Sequence, residues 1–354
     1  MSRRLPNRCP APIRLAAAAI VAALLNGCAT SPAPEPEPAA PASRQRVDVR
    51  EAGRLLARDD SFVVVVAGPD DTLAGLARRY LGDASRGWWI GEYNGVSETR
   101  AGSVLVVPLK DPDRIGVQAD GFQSVPILCY HRFGPRAAKL VVTPAAFAAQ
   151  MDYLDRNGYT VIPLERLADF LSGKAPLPRK SVVITIDDGY KSAYEIAFPI
   201  LRRHNFPATI FLYSDFVGAG DALTFAQMKD MTASGLFDVQ PHSKTHSNLT
   251  LRQPGETDAR YRERIQREVD VPVGMIHDRL ALASRAYAYP YGDVNETIVE
   301  TLAHKGLELG LTVTPGGNGF FAFPYMLRRN MIFGTEDLEA FKSKLTTFVK
   351  TAAR

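Results

Sequence analysis

Hydrophobic and polar positions divide the chain into four stretches. The first is an unbroken apolar run, Leu15–Leu25, behind a basic leader that ends at Arg14. A run this short falls well below the roughly 20 residues of a membrane-spanning helix but suits the apolar core of an export signal. The second, residues 28–46, has no periodicity; its alternating Pro32, Pro34, Pro36 and Pro38 predict an extended Pro/Ala-rich tether. The charged stretch after it contains Val49–Arg58, which reads as one short helix. The third stretch, residues 62–109, reads as a small unit. A β-rich run Phe62–Val66 leads to a turn and cap at Asp70-Asp71-Thr72-Leu73. A helix over Ala74–Tyr80 is broken at Gly82-Asp83, and a second over Trp88–Tyr93 ends at Asn94-Gly95. The strand Val104–Val107 closes a β-α-α-β order. Beyond a polar connector, short apolar runs then alternate with amphipathic stretches. The strands expected are Val125–Tyr130, Tyr159–Ile162, Ser181–Ile186, Ala208–Leu212, Phe237–Val239, Ala286–Tyr289 and Leu309–Val313. Between and after them the pattern predicts helices over Pro144–Arg156, Leu164–Leu171, Tyr190–His204, Thr224–Ser234, Asp258–Val269, Asn295–Lys305 and Glu336–Thr347. Repeated β-α order implies a parallel sheet or barrel.

Composition changes this picture little. The 354 residues are 46% hydrophobic and 23% charged, ordinary for a globular chain. The formal charge of +4 is matched by Arg3, Arg4, Arg8 and Arg14, all within residues 1–27, so the body is near neutral. A neutral body gives no electrostatic footing for nucleic acid. Of the three cysteines, Cys28 follows Leu25-Asn26-Gly27 at the end of the apolar run. That arrangement resembles the lipobox of bacterial lipoproteins. It implies a signal peptide over 1–27, lipid on Cys28, and a cell-envelope location, with Ala29 after the cysteine pointing to the outer membrane facing the periplasm. A plain secretory signal is the alternative. Cys129, left without a disulfide partner, is expected to pack in the core.

The small unit resembles the LysM module, a binder of N-acetylglucosamine-containing glycans. The matching residues are Asp71-Thr72-Leu73, Leu76 through Asp83, Asn94-Gly95 and Gly102 through Pro108. Asp70 stands where that family usually has glycine; aspartate tolerates the left-handed conformation better than most residues. Trp88 and Trp89, the only tryptophans, suit stacking on sugar, though so small a unit needs at least one in its core.

The chemistry-bearing positions fall at strand ends. Val182-Val183-Ile184-Thr185-Ile186 runs directly into Asp187-Asp188-Gly189, and adjacent side chains at a strand end point different ways. One carboxylate can hold a metal while its neighbour reaches water. Val239-Gln240-Pro241 leads into His242-Ser243-Lys244-Thr245-His246, whose two imidazoles share a face if the segment is helical. One carboxylate and two imidazoles make a three-ligand set with open positions, the catalytic pattern. Tyr287-Ala288-Tyr289-Pro290-Tyr291-Gly292 could wall a sugar groove and aim a backbone N–H at a developing oxyanion. His131 ends the strand Pro126-Ile127-Leu128-Cys129-Tyr130. His204, His277 and His304 fit no pattern.

Together these segments resemble the polysaccharide deacetylases of carbohydrate esterase family 4, the NodB-homology domain, over roughly Val125–Leu345. The motifs are Thr185-Ile186-Asp187-Asp188-Gly189, His242 through His246, and Pro290-Tyr291-Gly292. The resemblance implies an α/β fold, a distorted (β/α)7 barrel over 122–350 preceded by the small βααβ unit. It also implies a divalent metal, with zinc expected, on Asp188, His242 and His246, with Asp187 as base and the Tyr291 N–H at the oxyanion. Many members carry arginine and proline where Ala288 and Tyr289 stand, and a late Leu-x-x-His that is missing here. Tyr130-His131 on the first strand instead resembles the circularly permuted branch, which makes His131 the general acid. Arg329 becomes the candidate to orient Asp187. The expected substrate is an N-acetylated polysaccharide, peptidoglycan or a poly-N-acetylglucosamine. A wall-binding lipoprotein with a dead barrel and a small-amide hydrolase are the rival readings.

Overall fold

The computed structural model describes residues 53–110, 115–118 and 120–351. The signal peptide, the tether and Cys28 lie outside the described residues. Among the described residues, no helix is long and apolar enough to cross a membrane.

The small unit follows the expected order: strand β2 (Phe62–Val66), helices α1 (Leu73–Leu81) and α2 (Gly87–Asn94), strand β3 (Val104–Pro108). Thr72 caps α1 by accepting the Gly75 N–H, and Gly82 ends it in the left-handed conformation. Val63, Val65, Leu76, Ile90, Leu105 and Val107 form the core. Trp89 is buried and Trp88 half-buried. The expected helix up to Arg58 is instead a strand, β1 (Leu55–Arg58), antiparallel to β2. The left-handed Gly53 (φ 84°) precedes it, and the exposed edge of β2 supplies hydrogen-bond partners that a lone short helix would lack.

The larger part is an α/β domain around a distorted, barrel-like sheet. Its staves are β4 (Val125–Tyr130), β6 (Ser181–Asp188), β7 (Ala208–Leu212), β8 (Phe237–Pro241), β9 (Ala286–Ala288), β10 (Leu309–Leu311) and β11 (Asn330–Met331). Strands β8, β7, β6, β4 and β11 pair in that order, all parallel, and β9 pairs with β10. A single parallel bridge, Leu311 to Leu327, leads from β10 toward β11. The expected strand at Tyr159–Ile162 is only β5 (Thr160–Val161), which pairs with the start of β6 and is not a stave. Alternation sorts the side chains: Val125, Ile127, Val183, Phe211, Ala288, Leu311 and Leu327 form an inner cluster together with Leu164, Leu167 and Phe170 of helix α4 (Leu164–Leu171). Leu128, Ile184, Ile186, Ile210 and Val239 meet residues of the outer helices α3 (Pro144–Arg156), α5 (Phe198–His204) and α6 (Phe225–Ala233).

Helix α7 (Asp258–Leu280) runs past the expected stop at Val269 and through Pro272. Proline leaves the carbonyl four residues earlier without its N–H. That carbonyl belongs to Glu268 and accepts the Tyr287 hydroxyl at 3.4 Å, which replaces the lost partner.

Between β8 and β9 side chains stand in for a backbone ladder. Gln240 Oε1 accepts the N–H groups of Arg285 (2.8 Å) and Ala286 (2.9 Å). Two residues on, His242 Nδ1–H donates to the Ala288 carbonyl at 2.7 Å. Gln240→Leu should therefore lower unfolding free energy by about 2–4 kcal/mol, the penalty for two N–H groups left without an acceptor. Urea unfolding measures this; a loss well under 1 kcal/mol would mean the seam closes without Gln240.

Candidate active site

Asp187, Asp188, His131, His242 and His246 gather at the carboxyl ends of the staves, where barrel enzymes carry their chemistry. Asp187 shares parity with Val183 and faces the interior. Asp188 breaks the alternation: its backbone is left-handed (φ 72°), as is that of Gly189 (φ 78°), so the chain turns over the strand end there.

The two carboxylates have different surroundings. Asp187 is buried, and both its oxygens are taken by the fully buried Arg329: Oδ1 accepts from one guanidinium nitrogen and Oδ2 from the other, each at 2.7 Å. Arg329 is oriented in turn by donating to the Thr312 carbonyl (2.8 Å) and the Thr185 hydroxyl (3.3 Å). The Cys129 thiol, buried as expected, also donates to Asp187 Oδ2 at 3.4 Å, a contact sequence reasoning missed. Burial acts to raise the Asp187 carboxyl, but the adjacent Arg329 charge outweighs it and holds the group far below the usual carboxylate range. Asp188 Oδ1, by contrast, is buried with no hydrogen-bond donor. It faces the Nε2 atoms of His246 (3.1 Å) and His242 (3.6 Å).

Asp188, His242 and His246 place one ligand atom each within 4.8 Å of one another. Because His242 Nδ1 donates to a carbonyl, Nε2 is the nitrogen that neutral His242 has free for a metal. Burial shifts His242 downward, which favours the neutral form that ligation requires. Burial pushes His246 the same way, but its contact with Asp188 reverses the direction. The segment joining them is not helical: Ser243 (φ 97°) and His246 (φ 59°) are left-handed, and Ser243 Oγ accepts the His246 N–H at 2.8 Å. A tight loop therefore does what the four-residue spacing suggested a helix would do.

Cys129, His131 and Asp187 form a second cluster of the same size. Arg329 already neutralises both Asp187 oxygens, which makes that cluster poor for a cation. A buried carboxylate oxygen without a donor, facing two imidazoles, fits a divalent ion much better. His131 is half-buried, and its Nδ1 has no hydrogen-bond partner.

Tyr291 is left-handed (φ 63°) and exposed, with its ring 5.1 Å from that of His246. The next two N–H groups, of Gly292 and Asp293, close back on the Tyr289 and Pro290 carbonyls. The turn requires Gly292 (φ 79°), where a Cβ would lie 2.5 Å from Val313 Cγ2. Tyr287 and Tyr289 do not wall a groove; both are fully buried, with hydroxyls on the Glu268 and Tyr325 carbonyls. Tyr213 instead flanks His246 at 5.1 Å.

A barrel with a buried Asp/His metal-binding-like cluster and a separately fixed carboxylate at its strand ends is the equipment of a metal-dependent hydrolase. Residues 174–310 match the sequence profile of the polysaccharide deacetylase family, which supports a deacetylase domain of the carbohydrate esterase family 4, NodB type, in this part of the chain. The matched stretch includes the Asp, His and Tyr291 positions but neither His131 nor Arg329. YxkH of Bacillus subtilis is 29% identical over 228 residues, covering 64% of this chain and 78% of YxkH. The Escherichia coli K12 poly-beta-1,6-N-acetyl-D-glucosamine N-deacetylase is 26% identical over 209 residues, 49% of this chain but only 31% of the longer enzyme. Among solved structures, the Streptococcus pyogenes deacetylase PplD in complex with acetate superposes with a TM-score of 0.58 at 25% identity, covering 63% of this chain and 98% of PplD.

Proposed function

We propose that this chain removes N-acetyl groups from an N-acetylglucosamine-containing polysaccharide, releasing acetate and leaving free amines. The observation that carries the reading is the convergence of Asp188, His242 and His246 beside an Asp187 whose carboxylate is locked to Arg329. In this reading Asp188, His242 and His246 hold a divalent ion, with zinc best suited to two imidazoles and a carboxylate. Bound there, the ion supplies a Lewis acid and lowers the pKa of water. Asp187 accepts the proton of the attacking water, and its two-point contact with Arg329 fixes the direction of its lone pairs. His131, which follows β4 where that strand pairs with β6 and lies in a cluster with Asp187, donates a proton to the departing amine nitrogen. The Tyr291 N–H, not folded back like its neighbours, donates to the acetyl oxygen as negative charge develops. Tyr213 and Tyr291 present ring faces to the sugar.

The small unit serves as a LysM-like glycan-binding module, and lipid on Cys28 holds the enzyme at the outer membrane, facing the periplasm. The name of the E. coli relative favours poly-N-acetylglucosamine as substrate, whereas a LysM-like module favours peptidoglycan. Purified protein should release acetate from one of these polymers, lose the activity to a chelator and regain it with zinc. Parallel acetate assays on both polymers choose between them. No release from either, with metal bound, would overturn the proposal.

A further inference from the structure

The segment between His242 and His246 is held from outside by a residue far along the chain. Glu268, near the middle of α7, is 5% exposed. Its Oε2 accepts the backbone N–H groups of Lys244 (3.0 Å) and Thr245 (2.9 Å). Its Oε1 accepts the Thr245 hydroxyl at 2.8 Å. Two successive N–H groups converging on one carboxylate oxygen fix the curvature of a short loop. This loop has two non-glycine residues in the left-handed region, Ser243 and His246, which such side chains adopt uncommonly. The Ser243 hydroxyl braces it from within, and the Lys244 ammonium points away to Asp215 at 2.7 Å.

Each imidazole thus has its own anchor. His242 is fixed by the Ala288 carbonyl, and His246 by the loop that Glu268 grips. The anchors are linked, because Tyr287, next to Ala288 on β9, donates its hydroxyl to the Glu268 carbonyl. We propose that Glu268 is a positioning residue of the metal centre. It sets the turn that presents His246 beside Asp188 and His242, so its loss weakens metal binding although no ligand is removed. The inference rests on the reading of His242 and His246 as ligands.

The test is zinc titration of the metal-stripped full chain against a chromophoric chelator. Glu268→Ala should weaken zinc binding by about 10–100-fold, the range for outer partners of metal ligands. Glu268→Gln should stay near the wild type, because its amide oxygen can accept both N–H groups while its NH2 donates to Thr245 Oγ1. That rescue separates positioning by hydrogen bonds from a general loss of packing. Wild-type affinity in Glu268→Ala, or equal weakening in both variants, would overturn the inference. Should Glu268→Ala fail to fold, Glu268→Asp withdraws the carboxylate by one methylene. It should weaken zinc binding with an unchanged far-UV spectrum, and unchanged affinity would count against the proposal. His246→Ala is the control for the underlying reading. If it keeps wild-type affinity, the ligand assignment fails; if it loses zinc while Glu268→Ala does not, only the role of Glu268 fails.

Discussion

Asp187→Asn should lower kcat by about 10²–10⁴-fold, the range for loss of a general base, with the zinc content per chain unchanged. The two carboxylates are adjacent in sequence but separate in environment. Asp187 gives both oxygens to Arg329, whereas Asp188 keeps a buried oxygen without a donor. An amide at position 187 keeps the shape and one acceptor oxygen but cannot take a proton from water. Acetate release and metal analysis on the same preparation decide the matter. Loss of metal together with activity would make Asp187 a ligand, and unchanged kcat would remove it from the proton path.

Much of this site was legible because its chemistry sits at the ends of recognisable strands. The apolar run into Asp187-Asp188 and the histidine spacing each marked a strand end, and the structure brings them together. What spacing could not carry was conformation. The loop from His242 to His246 depends on Glu268, and nothing local to the histidines encodes a partner on another helix. Arg329 was only a candidate because it sits one residue before a two-residue stave, β11, too short to announce itself by periodicity. The same limit applies to α7. The pattern ends the helix at Val269, and the Tyr287 hydroxyl, from another strand, satisfies the carbonyl that Pro272 leaves open as the helix continues. Tyr287 and Tyr289 show the converse error: aromatic residues beside a motif suggested a groove, yet strand alternation sends both into the core.

Arg329→Met should be the most destabilising single change at the site, lowering unfolding free energy by about 3–5 kcal/mol at neutral pH, the usual penalty for stripping one partner from a buried ion pair. Methionine fills much of the volume but leaves the Asp187 charge buried and uncompensated. In the wild type Asp187 has a depressed pKa. Its contribution is therefore fully present above the unfolded carboxylate value near 4 and is lost only as pH falls toward the depressed one. In the variant, burial without Arg329 raises the carboxyl instead, so the folded variant takes up a proton and recovers stability as pH falls. Urea unfolding at pH 7 and pH 4.5 should show the deficit narrowing at the lower pH. A deficit that stays constant or widens would mean that the arginine contributes packing rather than charge compensation.

The side-chain closure between β8 and β9 bears on how the protein behaves in a crowd of its own copies. A parallel sheet that ends without a ladder has two unsatisfied edges, and such edges are templates for pairing with another chain. Gln240 and His242 keep those edges facing each other inside one molecule. The residue that closes the barrel and the residue that would hold the metal therefore also guard against self-association. An apo, seam-opened form would be the species most inclined to aggregate.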